Sequence, residues 1–148
     1  MHLKRSLDFC LQAADSAEAR MWLQDPVTAL SRIKVFRNLK LDDGILSGHL
    51  AASFALIGEV RFPFRSRFST AADSAELFPL GLPAEQNSET MAKLGGRAWL
   101  NGDRVCYQAE LELELNMPEG EKWGGRAFRK MAEAAFERTI SRTLQDFS

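Results

Sequence analysis

The sequence predicts an α+β fold: a curved antiparallel sheet of about six to seven strands wrapped around one long C-terminal helix, with two short helices after the first strand. Three observations predict it. Apolar residues recur at a period of two from Lys34 to Met117, Asp43-Gly44 and Asn101-Gly102 punctuate that stretch as hairpin turns, and from about Arg126 to Phe147 the spacing changes to three and four. The chain has 148 residues, 45% of them hydrophobic and 26% charged, the composition of an ordinary globular protein. It is read as one domain over residues 1–148, large enough to bury a core without a metal or a disulfide framework.

The first element is a strand. From Leu3 to Gln12, Leu7, Phe9 and Leu11 share one face and Asp8, Cys10 and Gln12 the other. Asp15 then stands three residues ahead of Glu18, a capping arrangement, and Ala19, Trp22 and Leu23 follow at helical spacing. Asp25-Pro26 repeats the signal for a second short helix with Val27, Leu30 and Ile33 as its stripe.

The meander comes next. A two-residue turn at Asp43-Gly44 sets Leu41 against Leu46, Leu39 against Gly48 and Val35 against Ala52, with Phe54 continuing that face. After a reversal near Gly58, Val60, Phe62, Phe64, Ser66 and Phe68 point inward while Arg61, Arg65 and Arg67 point outward. Prolines and glycines around Leu77-Phe78 suggest a short strand and then a loop. A turn at Asn101-Gly102 would place Leu100 opposite Asp103, Ala98 opposite Val105, Gly96 opposite Tyr107 and Leu94 opposite Ala109. On the outer face the same register pairs Lys93 with Glu110 and Trp99 with Arg104.

After Gly124-Gly125, Phe128, Met131, Ala135, Phe136, Ile140 and Leu144 form the apolar stripe of the terminal helix. At 1.5 Å per residue it spans roughly 33 Å, enough to cross the sheet.

This order resembles the helix-grip fold of the START and Bet v 1-like superfamily of polyketide cyclases, lipid-transfer domains and related binding proteins. The local echoes are Ala17-Glu18-Ala19 through Trp22-Leu23, Asp25-Pro26, the Asp43-Gly44 hairpin and Gly124-Gly125 before a long final helix. Within the superfamily the chain is similar to an uncharacterised bacterial family of comparable length. A cystatin-like roll is the other curved sheet with a crossing helix, but there the helix comes first. The resemblance implies a cavity between sheet and helix, and a first strand lying beside the strand from Arg104 to Met117.

Composition narrows the chemistry. Ten Phe and three Trp stand against one Tyr and two His, so apolar bulk is plentiful and His-centred catalysis or zinc binding is not expected. Net charge is −1 with both signs interspersed, which argues against a nucleic-acid partner. No apolar run reaches the roughly 20 residues of a membrane span, and the start at Met1-His2-Leu3 has no signal-peptide pattern, so a cytoplasmic protein is expected. Cys10 and Cys106 are read as reduced thiols, possible neighbours on the outer face of paired strands.

The expected ligand cavity is lined by Phe54, Phe62, Phe64 and Phe68 from the sheet and by Phe128, Met131 and Phe136 from the helix. A solid core requires the same residues. Small residues at Gly48, Ala52, Gly96 and Ala98 leave room on that face. Arg37, the one charge read on the inner face of its strand, would orient a ligand carboxylate or phosphate, unless it reaches solvent at the sheet margin. Tyr107 would donate a hydrogen bond into the cavity or simply cover Gly96. The glycine entry from Lys122 to Arg126 offers backbone amides to an anion or to water.

The leading expectation is non-catalytic binding or transport of a hydrophobic or amphipathic, lipid-like molecule, with no cofactor, by a monomer or weak homodimer. One alternative is a cyclase, dehydratase or hydrolase using Tyr107 and Arg37. The other is a protein-interaction module that uses the outer arginines or Trp99.

Overall fold

The computed structural model describes residues 2–54, 58–82, 90–115 and 125–145. In chain order the elements are β1 (His2–Gln12), α1 (Ser16–Gln24), α2 (Pro26–Leu30), β2 (Phe36–Asp42), β3 (Ile45–Phe54), β4 (Gly58–Thr70), β5 (Ser74–Leu80), β6 (Thr90–Asn101), β7 (Arg104–Leu115) and α3 (Gly125–Gln145). The strands form one antiparallel sheet ordered β1-β7-β6-β5-β4-β3-β2, the curled sheet of a helix-grip α+β fold. The two short helices and α3 follow in the expected order.

Local chemistry accounts for the helix starts. The Asp15 carboxylate accepts the Glu18 amide at 2.8 Å, and the Glu18 side chain returns to the Ala14 amide at 3.0 Å, so donors at the α1 entry are satisfied reciprocally. Asp25 repeats the device at α2, accepting from the Thr28 amide and hydroxyl, with Pro26 at the first helical turn.

The hairpins set the register. Asp43 and Gly44 adopt φ of 54° and 74°, the doubly positive pair of a type I′ turn, and Leu41 faces Leu46 as expected. Beyond that point the expected pairing fails. Asn38 takes φ of 54° and a bulge between Arg37 and Lys40 shifts the ladder, so that Phe36 pairs with Leu50 on the inner face, while Val35, just before the strand, is buried in the core without the expected pairing to Ala52. In the β6–β7 hairpin the turn is Gly102-Asp103, with Asn101 opposite Arg104 and Gly102 at φ 65°. A glycine at the first turn position suffices, and the register moves by two residues from the expected one. Ala98 therefore faces Tyr107 and Gly96 faces Ala109. On the outer face Lys93 meets Glu112, and Trp99 meets Cys106 while the Arg97 guanidinium lies over its ring at 5.4 Å.

β5 leaves β6 after Leu77↔Gly96. Pro79 follows, its ring close against Gly95, and it has no N–H to offer the ladder. Ser66, fully buried on β4 opposite Pro79, donates its hydroxyl to the Leu94 carbonyl. This explains a polar residue in the inward series Phe62, Phe64, Ser66.

β1 lies along β7 as expected, and the ladder sets Cys10 opposite Cys106. The two are joined as a disulfide, which overturns the reading of two reduced thiols. Register alone brings the sulfurs together on the outer face, and the expectation of a reducing compartment loses one of its grounds. Among the described residues no helix is long and apolar enough to cross a membrane.

The core lies on the concave face, where α3 contributes Ala135, Phe136 and Ile140. Arg5 of β1 bonds Glu137 of α3, tying the helix to the opposite end of the sheet from β3, which it also contacts.

Candidate interior site

Strand alternation places the site residues. β4 turns Phe62 and Phe64 inward, each 1% exposed, and Phe68 is half-buried against the same cluster. Phe36 meets Phe64 edge-on at 6.2 Å, so the bulge in β2 supplies an aromatic absent from the expected lining. Phe136 reaches this interior from α3. The side chains of Phe54 and Phe128, and residues 122–124 of the glycine entry to α3, lie outside the described residues.

Two expected lining residues are elsewhere. Arg37 is exposed on the outer side of β2, donating to the Lys34 carbonyl at 3.2 Å and pairing with Glu59 at 3.6 Å. The bulge at Asn38 is the cause, because one extra residue reverses the sidedness of the paired strand residues before it, Phe36 and Arg37. Met131 is 41% exposed. At about 100° per residue it falls roughly 40° beyond the arc that carries Ala135, Phe136 and Ile140. The room expected at two glycines is also taken. A Cβ on Gly48 would stand 2.8 Å from the Leu39 side chain, and one on Gly96, whose φ is 135°, would stand 2.1 Å from the Gln108 carbonyl.

Tyr107 is the distinctive interior group. It is 3% exposed and stacks on Phe9 with centroids 5.2 Å apart and planes within 13°. Among the described residues its hydroxyl has no hydrogen-bond partner. Burial pushes the phenol well above its ordinary value, and the Asp25 carboxylate adds to the effect. A group so placed stays protonated through the neutral range and donates; it does not exchange protons there.

The outer face is polar. His49 lies there with its Nε2 2.8 Å from the Asn38 amide nitrogen, and partial burial together with Arg61 and Arg37 holds its pKa down. Arg61 lies 3.9 Å from Glu59, so part of the outer arginine stripe is neutralised locally. Where β5 parts from β6 a groove of about 680 Å³ opens over Gly95 and Pro79, with Phe78 55% exposed at its side. The prolines and glycines around Leu77-Phe78 were read as a short strand and a loop, and the groove itself was not anticipated. Among the described residues no group of three His, Cys, Asp or Glu side chains is placed to hold a metal ion.

Comparison with known proteins follows the architecture. TTHA0849 from Thermus thermophilus superposes with a TM-score of 0.56 at 13% identity, covering 97% of this chain and 95% of that one. The Zhui aromatase/cyclase from Streptomyces sp. R1128 gives 0.48 at 14% identity over 98% and 89% of the two chains. A START superfamily protein from Mycobacterium smegmatis gives 0.40 at 11% over 98% and 97%. At such identities the likeness is one of fold, and the fold is the curled antiparallel sheet with a C-terminal helix anticipated from the element order. No curated protein matches. A family model described as a protein of unknown function, DUF3809, matches residues 8–145.

Proposed function

We propose that this chain, which belongs to the DUF3809 family, binds a hydrophobic or amphipathic small molecule between the sheet and α3, with Tyr107 donating a hydrogen bond to the ligand's polar end. The observation that carries this reading is the buried, unpartnered Tyr107 hydroxyl. An unsatisfied buried donor costs about 1–3 kcal/mol, and a ligand acceptor would offset that cost at the moment of binding. Phe9, stacked on Tyr107, and Phe62, Phe64 and Phe136 of the same core cluster supply apolar surface of the kind a lipid-like body requires.

The same observations favour binding over catalysis. The enzymatic alternative paired Tyr107 with Arg37, and Arg37 is on the other side of the sheet. A phenol held protonated by burial is a poor proton shuttle at neutral pH.

Displacement of a bound anilinonaphthalene sulfonate probe tests the proposal. A long-chain fatty acid or alcohol is expected to compete, and a saturated hydrocarbon of the same length to compete at least about tenfold less well, the value of one satisfied buried hydrogen bond. Equal competition by both, or none by either, contradicts the reading.

A further inference from the structure

The sheet has two edges, β1 and β2, and they differ in a way that bears on association. β2 is interrupted by the bulge at Asn38, one of the devices that keep an edge from pairing with another chain. β1 runs through an unbroken ladder from His2 to Gln12, with no proline and no bulge. Among the described residues no strand pairs with its other edge.

The ladder geometry says which backbone groups that edge presents. Cys10 and Cys106 have Cα atoms 4.0 Å apart, the close spacing of an antiparallel pair that does not exchange hydrogen bonds. By alternation Lys4, Ser6 and Asp8 occupy equivalent positions, so their N–H and C=O groups point away from β7. One of these, the Lys4 carbonyl, accepts from the neighbouring Arg5 guanidinium at 2.6 Å.

Charge selects a partner for the edge. If the twofold axis of an antiparallel pair passes through Ser6, Lys4 of each copy stands opposite Asp8 of the other. On the inner face Leu3 then meets Phe9. Moving the axis by two residues would set Lys4 against Lys4 or Asp8 against Asp8, which is unfavourable. Lys4 already lies 3.2 Å from Glu112 and His2 lies 3.5 Å from the same carboxylate, while Ser6 bonds Glu110. Asp8 has no ion pair among the described residues, so its carboxylate is available to a cation from outside.

We infer that β1 is a homodimer interface, in which two copies of this chain pair edge to edge around Ser6 and the two sheets become one. The arrangement is isologous, as a twofold dimer requires. It is independent of what the interior binds.

Sedimentation velocity on the full chain tests it. The native protein is expected to dimerise reversibly with concentration. Asp8→Lys sets two ammonium groups against each other at each end of the pairing, and Lys4→Asp sets two carboxylates there. Each change alone is expected to weaken dimerisation by roughly tenfold or more. An equimolar mixture of the two variants is expected to recover a heterodimer, because the charges across the pairing are again opposite. That recovery separates the interface from damage to the fold. A native protein that stays monomeric at the highest attainable concentration overturns the inference, as does a dimer indifferent to Asp8→Lys or a mixture that fails to associate.

Discussion

Tyr107 and Phe9 lie face to face on neighbouring strands, ring centroids 5.2 Å apart, and the stack carries the phenol hydroxyl into an interior where no described group accepts its proton. Stacking fixes the ring, so the hydroxyl cannot swing to find a partner without breaking the contact.

Replacing the hydroxyl therefore has a sign opposite to most core substitutions. Tyr107→Phe keeps the stack and removes an unsatisfied donor, so the ligand-free protein is expected to gain up to about 1–3 kcal/mol. Thermal unfolding would show this as a rise of roughly 2–4 °C per kcal/mol. A loss of stability would mean that the hydroxyl already has a partner.

Alkaline pH provides a separate check, made simple because Tyr107 is the chain's only tyrosine. Its folded pKa is raised above the ordinary value of 10.0, so above that pH the unfolded chain releases a proton that the native state retains. Stability is then expected to fall as pH climbs past 10.0. Tyrosinate absorbance in the ultraviolet should stay low through that range and appear together with unfolding. A smooth titration centred at 10.0 with the fold intact would contradict the burial.

Ser66→Ala tests the junction where β5 departs. The variant takes the Ser66 hydroxyl away from the Leu94 carbonyl, and unfolding in urea is expected to reveal a loss of about 1–3 kcal/mol. Ser66→Thr, which retains the hydroxyl, should recover part of that loss. A neutral alanine variant would show that the Leu94 carbonyl is served by another donor.

The Cys10–Cys106 bond closes a sequence separation of 96 residues. Reduction is expected to lower stability by about 2–4 kcal/mol, since loops of that size lose much unfolded-state entropy when closed. The eleven-residue β1 still pairs with β7 when reduced, so the far-ultraviolet spectrum should hardly change. Thiol titration of the native, unreduced protein should find no free cysteine.

Most of the architecture was legible from local chemistry. Capping carboxylates at Asp15 and Asp25 announced the short helices, and Asp43-Gly44 announced its hairpin, because those positions demand particular side chains. Inward Phe62 and Phe64 followed from alternation alone. What failed depended on insertions into that alternation. Asn38 tolerates positive φ, but nothing in Asn38 alone announces a bulge, and that single residue sent Arg37 to the outer face and brought Phe36 inward. The β6–β7 register slipped by two because Gly102 can serve either turn position; an even slip preserves sidedness, so Tyr107 stayed inward although its neighbours changed. Ser66 was placed inward by alternation, but its hydrogen bond to the Leu94 carbonyl was not legible, because it depends on which strand lies beyond β5. The pairing of Cys10 with Cys106 was visible as register, whereas their oxidation state was not, since sequence spacing does not report it.

Native mass spectrometry of the purified protein, beside its Tyr107→Phe variant, tests the central claim most directly. The native chain is expected to carry a co-purifying small molecule, released by solvent extraction and bearing at least one oxygen acceptor on an apolar body, and the variant to carry markedly less. A native protein with no adduct, or equal occupancy of native protein and variant, would contradict the account.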